Sequence, residues 1–196
     1  KRKKKDIILK AVAYGDLNEE IKTYLDQYKD ETTELEVRNI QIGPKHLEYQ
    51  YYQALAGAQI LKEVLRAEKE GFDAACISCF DDPFLYPARE ISKNMVVTAP
   101  GEASMHLASV LGNSFSIIVG RDKWIPQMRE NDANMAWKGS LLPSEAGMGV
   151  LDFHKDERAT MEKFRQEIRL AIEKDRAEVI ILGCSMQFGF TRNFSR

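Results

Sequence analysis

Gly71-Phe72-Asp73-Ala74-Ala75-Cys76-Ile77-Ser78-Cys79-Phe80-Asp81-Asp82-Pro83 is the stretch that decides the class of fold. A glycine where a helix should stop is followed by a short apolar run, a cysteine and an acidic-proline turn, which reads as helix end, strand, turn. Long amphipathic patterns flank it, His46 to Glu70 before and Pro83 to Lys93 after. The same alternation runs through the rest of the chain. Strands are expected at Asp6 to Val12, Leu35 to Ile42, Ala74 to Cys79, Met95 to Thr98, Phe115 to Val119 and Val179 to Leu182. The remaining helices are expected at Leu17 to Tyr28, Glu102 to Leu111, Lys123 to Asn131 and Asp156 to Asp175. Short β-branched runs alternating with amphipathic stretches make parallel βαβ units, so the class is α/β. Gly71 and Gly112 stand where left-handed helix terminators are wanted. Leu47, Tyr51, Leu55, Ala58, Leu61 and Leu65 form the expected core stripe of the longest helix. Asn134 to Asp152 is interrupted by Gly139, Pro143, Gly147 and Gly149 and reads as a strand with loops.

With 196 residues, 44% hydrophobic and 30% charged, the chain can bury one sizeable core or two small ones. A formal charge of -2 gives no electrostatic reason for nucleic acid or an acidic membrane as partner, which leaves a small molecule. Lys1-Arg2-Lys3-Lys4-Lys5 reads as a solvated, poorly ordered end. No run of about 18 apolar residues suggests a membrane span, and Ile7 to Ala13 is too short for a signal peptide, so the cytoplasm is the expected compartment. Neither a dinucleotide fingerprint nor a phosphate loop is present, and His46, His106 and His154 are scattered singly, so no cofactor or metal is expected. Glu102, Ser104 and His106 fall near a helix start, where capping and surface roles suit them.

The three cysteines are too few for a disulfide framework. Cys79 and Cys184 each stand where a strand stops, in Ile77-Ser78-Cys79-Phe80 and Leu182-Gly183-Cys184-Ser185. Ligands of open α/β sheets bind outside the carboxyl ends of the strands, so both thiols sit at the productive edge. Each is followed by an expected turn and helix start, whose free amides favour a thiolate and an anionic substrate group together. The competing reading is packing, since cysteine is among the most buried residue types, and Cys76 inside its strand fits that better. Cys76 and Cys79 also spell C-x-x-C, but residues three apart on a strand face opposite ways, which suits neither a redox pair nor zinc.

The segment 71–83, with Pro100-Gly101-Glu102-Ala103-Ser104-Met105-His106-Leu107-Ala108-Ser109, Val179-Ile180-Ile181-Leu182-Gly183-Cys184-Ser185-Met186 and the less diagnostic Gly43-Pro44-Lys45-His46-Leu47-Glu48-Tyr49, resembles the aspartate/glutamate racemase superfamily in its hydantoin racemase branch. The resemblance covers nearly the whole chain, and the two cysteine motifs are its specific part. It implies two pseudo-symmetric doubly wound lobes, residues 1–98 and 99–196, with mainly parallel sheets and an active site between them. By the same resemblance, relatives add elements after the position of Arg196 that complete the first lobe, so the expectation is that these are missing here or that the lobe is finished differently. It implies Cys79 and Cys184 as opposed general acid and base, without pyridoxal phosphate or metal. Phe80 and Asp81, and Ser185 and Met186, would then line the substrate. The turn Ala13-Tyr14-Gly15-Asp16 replaces the family's Asn-rich turn, which puts Tyr14 at the substrate and an acid at Asp16.

The expected activity is therefore a racemase or epimerase acting on a hydantoin or amino-acid-like carbon acid. A decarboxylase or cis-trans isomerase of the same superfamily, or a non-catalytic α/β ligand-binding protein, are the alternatives. Self-association is left open.

Overall fold

The computed structural model describes residues 2–15, 17–133, 140–141 and 144–190. The chain divides into two compact units, with the division between Pro100 and Gly101.

The first unit is a parallel sheet of β1 (Lys4–Lys10), β2 (Thr33–Asn39), β3 (Ala74–Ile77) and β4 (Val96–Thr98), in the order β2-β1-β3-β4. The direction of chain advance reverses at β1, which puts a topological switch point between β1 and β3. Side chains alternate across a strand. Ile7, Leu9, Ala75, Ile77 and Val97 thus share one face and pack in a single core with α2 (Gln50–Lys69) and α3 (Leu85–Ile91). Each large side chain buried there contributes roughly 1.5–3 kcal/mol. The other crossover helix, α1 (Asn18–Asp26), packs against the edge strand β2.

Four expectations for this unit are corrected. The core stripe of α2 is Ala56, Gly57, Ile60, Val64 and Ala67, whereas Tyr51, Leu55 and Leu65 face outward, Leu55 at 66% exposure. Two apolar stripes compete on that helix. The one carrying Ala56 and Gly57 wins because small residues let α2 approach its neighbours closely. Second, the basic terminus is not a loose end: Lys4 and Lys5 are in β1, and Lys4 N donates to Thr32 O at 2.8 Å. Asp73 ties it further, accepting from Lys5 N at 2.8 Å and from Arg2 Nη2 at 2.6 Å. Third, β3 stops at Ile77, because Cys79 N turns back onto Ile77 O at 2.9 Å. Fourth, α2 and α3 start later than expected, at Gln50 and Leu85; Phe84 precedes α3 in the left-handed conformation, φ 59°.

The second unit opens with α4 (Pro100–Leu111), whose first residue is a proline, the position where its missing N–H costs nothing. β5 (Ser114–Val119) is central and pairs in parallel with β6 (Ser140–Leu141), β7 (Ser144–Glu145) and β8 (Val179–Leu182). Phe115, Ile117, Ile118 and Val119 are fully buried, the continuous apolar run of a strand covered on both faces. Between lie a 3-10 turn at Asp122–Trp124, α5 (Ile125–Ala133) and α6 (Glu157–Glu173). Asp156 caps α6 by accepting from Ala159 N at 3.0 Å. Gly71 is left-handed as expected, φ 84°, but Gly112 is not. Gly112 is small for another reason: a Cβ there would press on Glu178 and Val179. Of the expected strand with loops, the described part holds β6, β7 and a 3-10 turn at Val150–Asp152. Residues 134–139 and 142–143 lie outside the described residues.

Candidate active site

Both cysteines stand two residues past the last residue of a parallel strand, Cys79 after Ile77 of β3 and Cys184 after Leu182 of β8. The residue before each still donates its amide to the neighbouring strand, Ser78 N to Leu9 O at 2.8 Å and Gly183 N to Ile118 O at 2.9 Å. Each cysteine carbonyl then accepts from the residue three further on, Asp82 N at 3.0 Å and Gln187 N at 2.9 Å. Two stretches remote in sequence thus share one backbone device: a strand end, then a half-buried cysteine in a tight turn. None of the three cysteines is in a disulfide.

The turn after Cys79 is gripped by α2. Gln53 Nε2 donates to Asp81 Oδ2 at 2.6 Å and reaches Leu47 O at 3.5 Å. One helical turn on, Gly57 receives the Phe84 ring, which a Cβ at Gly57 would overlap. Asp82, φ 51°, and Phe84, φ 59°, are both left-handed without being glycine, a conformation that persists only where surroundings enforce it. Removal from water pushes the Asp81 carboxyl up to about 7; repulsion by Asp82 adds to this and the Gln53 bond opposes it. Phe80 is buried, 4% exposed, so it supports the turn from below. The helix expected after the Cys79 turn does not start at Pro83: α3 begins only at Leu85, and two carboxylates occupy the intervening turn.

Tyr14 lies in the loop after β1, four residues past Lys10, and is 59% exposed. Its loop is stitched to the one after β2 by Ala13 N to Pro44 O at 3.2 Å and by Lys45 Nζ, 5.7 Å from the Tyr14 ring centre. Lys10, buried, reaches across the same turn to Asn18 Oδ1 at 2.9 Å. Asp16 lies outside the described residues. Tyr14, Cys79, Phe80 and Asp81 therefore occupy loops at one carboxyl edge of the first sheet, on either side of its switch point.

In the second unit Cys184 precedes a 3-10 turn of Ser185, Met186 and Gln187, again not the α-helix expected. Gly183 lets β8 lie against β5, since a Cβ there would overlap Ile117. His154 pins the turn from outside: its Nε2 lies 2.8 Å from Met186 O, and a carbonyl only accepts, so Nε2 carries the proton. Its ring lies between Phe188 and Phe190, at 5.4 and 5.3 Å, and Glu157 Oε1 is 3.4 Å from Nδ1. Gln187 is 2% exposed, and neither its Nε2 nor its Oε1 has a hydrogen-bond partner.

Cys76 keeps a different character. It lies within β3, and burial together with Asp82 pushes its thiol up to about 12. Among the described residues, no cluster of three or more His, Cys, Asp or Glu side chains could hold a metal ion. No described helix is long and apolar enough to cross a membrane.

Residues 16–187 match the sequence signature of the family described as Asp/Glu/Hydantoin racemase. The chain belongs to that family. It is 38% identical over 146 residues to a hydantoin racemase of Pseudomonas sp. (strain NS671), covering 74% of this chain and 58% of the relative. It is 34% identical over 159 residues to a hydantoin racemase of Paenarthrobacter aurescens, covering 78% of this chain and 65% of the relative. The chain thus spans roughly three fifths of the length of these relatives. Its fold is similar to that of an allantoin racemase from Klebsiella pneumoniae, with a TM-score of 0.88 at 21% identity over 97% of this chain and 80% of that one.

Sequence reading did not find Gln53, Gly57, Phe84, His154 or Gln187. Gly57 alone gave a signal, since a glycine inside a helical pattern marks a close approach.

Proposed function

We propose that the chain is a cofactor-independent racemase whose Cys79 and Cys184 act as opposed general base and acid on the α-carbon of a hydantoin or related cyclic ureide. The observation that carries this is the repeated device: in a family of racemases, two half-buried cysteines each stand two residues past a strand end, at the sheet edge where ligands bind. The reading takes residues 1–98 and 99–196 as two lobes of like design that present their thiols to opposite faces of one carbon.

A thiolate on one side removes the α-proton, the electron pair passes into the ring carbonyl as an enolate, and the thiol on the other side returns a proton to carbon. The product leaves with inverted configuration and the two sulfurs have exchanged protonation states, which proton exchange with water resets. Backbone amides of the two turns, together with Ser185, are suited to the enolate oxygen, where charge develops. Tyr14, Asp81 and Met186 are assigned to the substrate's remaining surface, and no metal or organic cofactor takes part.

Incubation in heavy water tests the reading. Wild type should wash deuterium into both enantiomers of a 5-substituted hydantoin. Cys79→Ser and Cys184→Ser should each lose racemisation, by roughly a thousandfold or more, yet exchange one enantiomer with retention, and opposite enantiomers in the two variants. Racemisation that survives either substitution, or a wild type that exchanges no carbon acid, overturns it.

A further inference from the structure

We propose that Gln187 is a substrate-recognition residue, its side-chain amide pairing with the N–H/C=O edge of a cyclic ureide held against Cys184. This deepens the racemase reading above and rests on it. A buried polar group without a partner is costly, so a native structure that keeps one calls for an explanation. Gln187 is 2% exposed with both Nε2 and Oε1 unpartnered, a donor and an acceptor withheld from water together. Cys184 is the extended residue that opens the 3-10 turn and Gln187 is the residue that closes it, so the chain returns Gln187 to the neighbourhood of Cys184. The backbone bond from Gln187 N to Cys184 O at 2.9 Å holds that return in place.

A second orphan lies at the same edge. Trp124 is buried and its Nε1 has no partner; it follows the end of β5, the strand paired with β8. Among the described residues of the second unit, these are the only two side chains with buried polar atoms left unpaired, and both stand beyond the carboxyl ends of adjacent strands.

The chemistry selects the ligand class. A primary amide presents one acceptor and one donor in a plane, matching the N–H and C=O of a ring amide in a two-point contact. A free carboxylate offers acceptors only and leaves the amide oxygen of Gln187 unpaired. A site built to bond a particular donor rejects analogues that lack it, because its own buried group is then left without a partner.

The test uses full-length wild type and Gln187→Met, with 5-methylhydantoin, its two N-methyl derivatives and the open-chain N-carbamoyl alanine. The readouts are the kcat and KM of α-proton exchange, calorimetric binding, and the thermal midpoint of the ligand-free protein. Gln187→Met should lower kcat/KM for 5-methylhydantoin about 10- to 100-fold. It should also hold or raise the free protein's midpoint, by about a degree or two, because an unpaired amide has been removed. A role in packing alone predicts the opposite sign. One N-methyl derivative should suffer a comparable loss with wild type and little further loss with Gln187→Met, since both changes delete the same contact. Losses that multiply, or a lowered midpoint with unchanged kcat/KM, overturn the assignment. Gln187→Leu serves as the second variant: it introduces no buried charge and should weaken hydantoin binding by a similar factor. An active wild type that is indifferent to residue 187 sinks this contact alone. A wild type that neither binds nor exchanges any hydantoin sinks the racemase reading with it.

Discussion

After Cys79 the turn closes with Asp82 N on the cysteine carbonyl, and after Cys184 with Gln187 N on the corresponding carbonyl, yet the two turns are held by opposite means. The first is clamped from within its own core. α2 supplies a hydrogen bond to Asp81 and a glycine seat for Phe84, and two left-handed residues store the strain of the fit. The second is pinned from its rim by His154, while its innermost polar side chain, Gln187, is left without a partner. One turn spends its contacts on rigidity, and the other withholds one.

The sharpest way to break this comparison is Gly57→Ala. Alanine raises helix propensity by about 1 kcal/mol over glycine, but its Cβ overlaps the Phe84 ring. Overpacking of that kind costs about 1–3 kcal/mol, which leaves the variant less stable by up to about 2 kcal/mol after the gain in propensity, because the whole ring edge lies on the position the Cβ would take. Alkylation of Cys79 in the native protein should change several-fold while Cys184 stays at its wild-type rate. Equal change at both thiols would mean that α2 does not grip the first turn selectively.

Next in size is Asp81→Asn. The asparagine still accepts from Gln53, but it carries no charge. The rise of the Asp81 carboxyl from 3.8 to about 7 in the folded state means that the native protein binds a proton the unfolded chain has released. Stability from this group is therefore full below about pH 4, falls between pH 4 and 7, and leaves a standing penalty above 7. The full step corresponds to roughly 4 kcal/mol, which partial exposure reduces to about 2. Denaturant titrations should show Asp81→Asn more stable than wild type at pH 8 and equal to it near pH 4. A variant less stable at pH 8 would show that the bond to Gln53 needs the charge.

What made these features hard to read is instructive. Alternating apolar runs, 71–83 among them, carried the parallel strands, because a buried strand writes its pattern locally. The cysteine positions near strand ends were legible for the same reason, although each stands two residues past its strand and β3 ends at Ile77 where the apolar run suggested Cys79. Leu55 and Leu65 misled because hydrophobicity alone favours the large-residue stripe of α2, whereas packing distance favours Ala56 and Gly57. The Gln53–Asp81 and Phe84–Gly57 contacts join residues far apart in the chain, and no periodicity encodes such a meeting. Gln187 is more hidden still, since an unpaired amide is defined by what fails to surround it.

His154→Phe acts on the other turn. Phenylalanine keeps a ring beside Phe188 and Phe190 and deletes the bond to Met186 O together with the longer, exposed contact to Glu157. The cost should be about 1.5 kcal/mol, a hydrogen bond to a part-buried carbonyl left unpaired. Here the selectivity inverts: Cys184 should alkylate faster and Cys79 should not. If Cys79 responds as well, the two turns are coupled and the division of labour between them is weaker than drawn.

Cys76→Ser should have the smallest effect, and it tests whether position relative to the strand end, and not mere possession of a thiol, sets Cys79 and Cys184 apart from Cys76. Cys76 lies inside β3, with Ile8 and Thr98 opposite it on the neighbouring strands. Burial and the Asp82 carboxylate push its thiol up to about 12, so near neutral pH it stays protonated and is a poor nucleophile or base. Serine is nearly the same size, and its hydroxyl is more polar than the thiol it replaces. At a half-buried site that costs about 1 kcal/mol or less. Racemisation should stay within about twofold of wild type, as for a substitution away from the chemistry. The native protein should take up the same number of alkyl groups as before, and only after unfolding should the count fall by one. If racemisation instead collapses, while serine at Cys79 or Cys184 leaves it intact, then the strand end is not what makes a cysteine catalytic here. The Cys76–Cys79 pair would then have to be considered as a unit.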